Sequence, residues 1–169
     1  MPRAAHRFDE RSADRFDGLP LSWRGCRFSA LSVFDLQAIY MARQQVFVVE
    51  QQCAYLDADG VDDACWHLAA WSGAHALPLA YARIVDPSRK YAEPSIGRVI
   101  TTAPARGAGL GRELVRRAVA HCATAFPGHA IRISAQAHLE RFYAEFGFRA
   151  AGPRYLEDGI PHTEMLRPG

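Results

Sequence analysis

The stretch Arg106-Gly107-Ala108-Gly109-Leu110-Gly111 decides how this chain is read. Three glycines and an arginine lead directly into a polar-to-apolar rhythm that predicts a helix from Leu110 to about Phe126. Backbone N–H groups at a helix start, aligned with the positive end of the helix dipole, bind anionic oxygens without a side chain, and glycines let the ligand come close. The run therefore reads as an anion cradle, for which several nucleotide-binding folds compete. A P-loop ends in Gly-Lys-Ser/Thr, whereas Arg112-Glu113 follows the last glycine and Lys90 is the only lysine of the chain. A dinucleotide fingerprint needs glycine at position 112 and an acidic ribose ligand about 20 residues on. Position 112 is arginine, and residues 130–133 carry no carboxylate. What remains is a glycine loop between a short apolar strand, Ser95 to Thr101, and the helix that follows.

That arrangement resembles a known family. The spacing Arg106-x-x-Gly109-x-Gly111 after an apolar strand is similar to the acetyl-coenzyme A (acetyl-CoA) pyrophosphate loop of the GNAT superfamily of N-acetyltransferases. A second block in the right order, from Gln136 through Tyr143 to Gly147-Phe148, is similar to that family's later motif, a helix ending in Tyr-x-x-x-Gly-Phe. Finer matches point to the ElaA-like branch: Val46-Phe47-Val48-Val49-Glu50-Gln51, Tyr55-x-Asp57-x-Asp59-Gly60, His67-Leu68, Ala80 to Ile84, Gly97-Arg98-Val99, and Glu157 to His162. The resemblance extends over about residues 20 to 167.

Composition fits one soluble enzyme domain: 169 residues suit a single core, and 49% hydrophobic content argues against disorder. We read residues 21–169 as that domain and residues 1–20 as a flexible N-terminal tail. Arg3, Arg7, Arg11 and Arg15 recur every four residues, which leaves a docking helical arm as the alternative. The formal net charge of +2 and the interleaving of arginines with acids speak against nucleic-acid binding. No apolar run of 18 residues and no secretory h-region occur, so we expect a cytoplasmic protein without membrane contact. Cys26, Cys53, Cys65 and Cys122 have no metal-type spacing, so no metal is expected and buried thiols are the reading; a Cys53–Cys65 disulfide is the alternative.

Periodicity places Leu36, Ile39, Tyr40, Arg43 and Phe47 on one stripe of a helix from about Ser32 to Val48. A guanidinium among apolar neighbours needs an acidic or carbonyl partner, and Glu50, one heptad on, points the same way if the helix persists. Either the arginine forms a structural ion pair or the pair borders the acceptor site. The run Asp57-Ala58-Asp59-Gly60-Val61-Asp62-Asp63 fails as a calcium loop, because its first and last ligand positions would be Tyr55 and Trp66. It reads as a solvated turn, or else as an acidic overhang that attracts a cationic amine. Strands are expected at residues 65–71, 79–85, 95–101 and 130–136. The helix between the last two implies a parallel crossover, and the earlier strands should pair antiparallel. The fold class is thus α/β with α+β character, a mixed central sheet flanked by helices.

The resemblance implies direct attack of an amine on the acetyl thioester, with acetyl-CoA as donor. Backbone amides of Arg106, Gly107, Ala108, Gly109, Leu110 and Gly111 would hold the pyrophosphate, and Arg106 or Arg112 would add charge. Val99, Ile100 and Thr101 would pair with the pantetheine arm, and Gln136 occupies a place where many relatives carry Asn. An amide near Val99 or Ile100 would meet the oxyanion. Tyr143 takes the family's proton-donor position, where it could otherwise pack in the core or bond the cofactor. Glu50, His67 and His162 are the candidate bases. A small-molecule or peptide amine is the expected partner, and a homodimer is possible. The alternative functions are an acyl-homoserine-lactone-synthase-like acyltransferase and a non-catalytic CoA-binding module.

Overall fold

The computed structural model describes residues 8–16 and 18–169, with side chains from residue 15 on. The chain lays down strands β1 (Phe8–Phe16), β2 (Leu19–Arg27), β3 (Cys65–Ser72), β4 (Ala80–Val85), β5 (Ser95–Thr101), β6 (Ile131–Gln136), β7 (Arg149–Glu157) and β8 (Ile160–Arg167). They form one sheet in the order β1-β2-β3-β4-β5-β6-β8-β7. Every neighbouring pair is antiparallel except β5 and β6, which run parallel and meet at a single register pair, Ser95 with Arg132. Beyond Ser95 the two strands part, leaving the facing edge of β5 without a strand partner among the described residues.

Helix α1 (Val33–Arg43) starts where the Ser32 hydroxyl accepts the Asp35 N–H at 3.0 Å, an N-cap that satisfies one of the orphan donors of the first turn. It widens into a π-helical segment over Gln44–Glu50. Helix α2 (Leu110–Ala125) connects β5 to β6, and short α3 (Glu140–Ala144) follows β6. Strands β3 and β4 are almost wholly buried because helices cover both faces of the sheet. On one face Leu110, Leu114, Val115, Ala118 and Cys122 of α2 pack on Leu68, Ala82, Ile84 and Ile96. On the other, Ile39, Ala42 and Val46 pack on Ala69, Tyr81 and Ile100. Burying each large aliphatic side chain contributes about 1.5–3 kcal/mol, so both helices are held chiefly by their apolar stripes.

Two expectations are corrected. Residues 8–16 of the supposed N-terminal tail form β1, which pairs antiparallel with β2. An arginine every fourth residue suggests helix only while the strand pairing is out of view; Arg3 and Arg7 lie outside the described residues. The cysteines are all free and buried, so the Cys53–Cys65 disulfide does not form. Burial pushes the Cys65 thiol up to about 11 and the Cys122 thiol up to about 12, which keeps both protonated and unreactive.

Candidate active site

The gap between β5 and β6 opens into a cleft of about 300 Å³. Its walls are Gly97, Arg98 and Val99 of β5, Ser134 to Gln136 of β6, Tyr143 of α3, Ile160 and His162 of β8, and Tyr55 and Leu56 from the loop after the π-helical segment. The β7–β8 turn contributes Glu157 and Asp158, with Asp158 and Gly159 both at positive φ (51° and 78°), the conformation of a tight hairpin turn.

The glycine loop lies at the far end of β5. Gly107 and Gly109 both sit at φ +80°, where a side chain is disfavoured, and a Cβ on either would meet nothing within 4 Å. Gly109 is also the N-cap of α2. The loop therefore presents open space and the unpaired N–H groups of the helix start, which suits an anionic group such as a pyrophosphate. The two arginines are already engaged. Arg106 is ion-paired with Glu50 and bonds the Thr101 carbonyl at 3.3 Å, and Arg112 is ion-paired with Glu145.

Tyr143 is 7% exposed, packed edge-on against Phe142 and Phe148, and its hydroxyl has no protein partner among the described residues. Burial pushes its phenol up to about 12, so the proton stays on oxygen throughout the neutral range. At His162 the Nδ1–H donates to the Ile160 carbonyl at 2.8 Å, which leaves the lone pair on Nε2, and the ring stacks on Tyr155.

The other sequence candidates are placed differently. His67 is buried: its Nε2–H donates to the Asp62 carbonyl at 2.9 Å while Nδ1 accepts from the Tyr81 hydroxyl at 2.8 Å. Burial lowers its pKa, and a ring with both nitrogens occupied is structural. Glu50 does not share the face of Arg43, because the wider i→i+5 turn of the π segment rotates it away. It reaches the glycine loop through its ion pair with Arg106. Gln136 donates from Nε2 to Gln51 Oε1 at 3.1 Å, tying the end of β6 to the residue after the π segment.

The acidic run is no solvated turn. Arg43, fully buried, donates from Nε to Asp57 at 2.8 Å, from Nη1 to Asp62 at 2.7 Å and from Nη2 to the Asp57 carbonyl at 2.8 Å. Arg83 grips Asp59 with two bonds of 2.6 and 2.7 Å and reaches Asp62 at 3.1 Å. Arg98 pairs with Asp57 at 2.8 Å and Asp59 at 3.3 Å. Three arginines thus balance three aspartates. Burial alone would raise the Asp59 and Asp62 carboxyls, but the arginine hydrogen bonds and charges outweigh it and hold both below the usual range.

A family profile described as the acetyltransferase (GNAT) domain matches residues 63–167. This chain belongs to the GNAT acetyltransferase family. ElaA of Escherichia coli is 39% identical over 150 residues, covering 87% of this chain and 96% of ElaA, and its crystal structure superposes with a TM-score of 0.81. A UPF0039 protein of Synechocystis is 43% identical over 148 residues, covering 88% of this chain and 96% of its own length. The crystal structure of an acyl-CoA N-acyltransferase from Pseudomonas aeruginosa shares 40% identity and a TM-score of 0.83, covering 87% of this chain and 99% of that one.

Two cleft-lining residues of this GNAT acetyltransferase, Arg98 and Glu157, were not among the candidates expected from the sequence. Arg98 stands inside a strand at φ +52°, a conformation that spacing does not reveal. Glu157 lines the cleft beside Ser134, at 3.1 Å, and belongs to a hairpin whose Asp158-Gly159 turn is a legible signal.

Proposed function

We propose that this GNAT acetyltransferase moves the acetyl group of acetyl-CoA to a primary amine by direct attack on the thioester. The observation that carries the reading is the cleft between the parted strands, with the open edge of β5 along one side and the unpartnered Tyr143 hydroxyl beside it. Amides of the glycine loop would hold the pyrophosphate, and the β5 edge from Val99 to Thr101 would pair with the pantetheine arm like an added strand.

The residues divide the proton work. An alkyl ammonium with a pKa of about 10.4 must lose a proton before it attacks, a cost of about 4–5 kcal/mol at neutral pH. The Nε2 lone pair of His162 lies in the cleft wall and is the base we favour. Glu50 is tied to Arg106 and serves the cofactor loop instead. At the leaving sulfur, Tyr143 with its proton held to about 12 faces a thiolate whose conjugate acid lies near 8.5. Complete proton transfer would be uphill by about 5 kcal/mol, so Tyr143 stabilises the sulfur as a hydrogen-bond donor and the net proton comes from the attacking nitrogen.

The test mixes the protein with acetyl-CoA and a panel of amines and follows free thiol with and without each amine. Amine-dependent thiol release, with an acetylated product by mass, is expected. Cofactor binding with no release across the panel would leave a CoA-binding module as the better reading.

A further inference from the structure

We propose that Arg98 is a positioning residue: its ion pairs to the Asp57–Asp59 loop clamp a bulge in β5 that aims backbone at the acetyl group. The inference rests on the acetyl-transfer reading. Tyr81 pairs with Ile100 and Arg83 with Gly97, so Arg98 and Val99 together face the single residue Ala82. That count defines a β-bulge, whose extra residue leaves the ladder and re-aims the strand. Both bulge residues line the cleft.

A bulge of this kind normally uses glycine for its left-handed residue. Here the residue is arginine at φ +52°. Of the other non-glycine residues at positive φ, Ser88 and Asp158 lie in turns and Gln52 in the loop after the π-helical segment; Arg98 alone among the described residues lies within a strand. Something must hold it, and the side chain shows what. The guanidinium pairs with Asp57 at 2.8 Å and Asp59 at 3.3 Å, donates to the Asp57 carbonyl at 3.2 Å, and lies 5.3 Å from the Tyr55 ring centroid. The acidic loop cannot yield, because Arg43 holds Asp57 and Arg83 holds Asp59 from the buried side. A regular strand would carry one residue fewer against Ala82 and turn the following side chains to the opposite faces. The acidic run thus serves as the anvil of the bulge rather than as a lure for cations.

Arg98→Ala, Arg98→Gly and Asp59→Asn separate this role from alternatives, using crystal structures of each variant and calorimetric binding of CoA and acetyl-CoA. In Arg98→Ala, residue 98 should relax to negative φ, with acetyl-CoA affinity falling about 3- to 10-fold, the loss of one hydrogen bond to the acetyl oxygen, while CoA affinity changes less than about 2-fold. Arg98→Gly should keep positive φ and most of the preference for acetyl-CoA, and Asp59→Asn should fall between. A bulge unchanged in Arg98→Ala would overturn the proposal. So would loss of the preference in Arg98→Gly with the bulge in place, which would make the guanidinium itself the contact. If wild type binds neither ligand, the acetyl-transfer reading fails and the geometry of residue 98 in the variants still decides the clamp. If Arg98→Ala does not fold, Asp59→Asn supplies both readouts.

Discussion

Replacing Arg43 by methionine tests the physics of the network that backs the cleft. The guanidinium is fully buried and makes three charge-assisted hydrogen bonds of 2.7–2.8 Å, two to carboxylates and one to a carbonyl. Methionine keeps much of the stem volume, so the change removes charge and donors more than packing. Breaking a buried ion pair from one side costs about 3–5 kcal/mol because a desolvated charge is left behind. Here each aspartate keeps a second arginine, Asp57 at 2.8 Å from Arg98 and Asp62 at 3.1 Å from Arg83, so the lower end applies. We expect a loss of about 3 kcal/mol at pH 7, a fall in Tm of about 6–12 °C for a domain of this size. Urea unfolding should show the midpoint shifted with the slope m unchanged. The sign of the pH dependence is fixed. Asp62 is held below its unfolded value, so its stabilisation is present above about pH 4 and is lost as pH falls through the folded value. Without Arg43 that hold weakens, and the gap between wild type and variant should narrow below about pH 4. A loss under about 1 kcal/mol at pH 7, or a gap that stays constant in acid, would mean that Arg43 does not hold Asp57 and Asp62 in this way.

Tyr143→Phe should lower kcat by about 10- to 150-fold, the range of a hydrogen bond to a charged atom, with KM for acetyl-CoA within a few fold; unaltered thiol release would remove the hydroxyl from the reaction. His162→Gln should lower kcat far more than acetyl-CoA affinity, whereas Glu50→Gln should alter acetyl-CoA affinity more than kcat; the reverse pattern would exchange their roles. Gly109→Val should weaken acetyl-CoA binding by forcing a β-branched residue to φ +80°, and calorimetry showing undiminished affinity would contradict the cradle. Burial depresses His121 to about 4 and lowers His67 as well. Both are neutral in either state above about pH 6.5, so stability should decline as pH falls from there toward 4, while the unfolded chain takes up protons that the native one refuses. With partial exposure discounted, His121 should account for about 1–2 kcal/mol, and a His121→Gln variant with an equally steep decline would count against it.

The strand, glycine loop and helix proposed to hold the donor were readable along the chain because their signals are local. Strand Ser95–Thr101 appears with the bounds expected, and α2 ends at Ala125, one residue before the expected end. Glycines at left-handed φ, a helix start and an amphipathic stripe all act within a few residues of one another. The β7–β8 hairpin passed unread although Asp158-Gly159 marks its turn, because β7 is exposed throughout and shows no apolar alternation. The fate of Glu50 was out of reach for a different reason. A π-helical widening of one segment turned a heptad argument aside, and hydrophobic periodicity does not register such a widening.

The order of residues alone specifies the family, the strand, glycine loop and helix of residues 95–125, and Tyr143 within the second block. It takes the folded chain to show that Asp57, Asp59 and Asp62 neutralise Arg43, Arg83 and Arg98, that His67 is sealed in the core, and that residues 106–109 are exposed while Arg106 is taken by Glu50. The division follows range. A glycine loop is made by adjacent residues and is written in their order, whereas each of these ion pairs joins residues 14 to 56 positions apart, and the partners meet only once the sheet has brought them together.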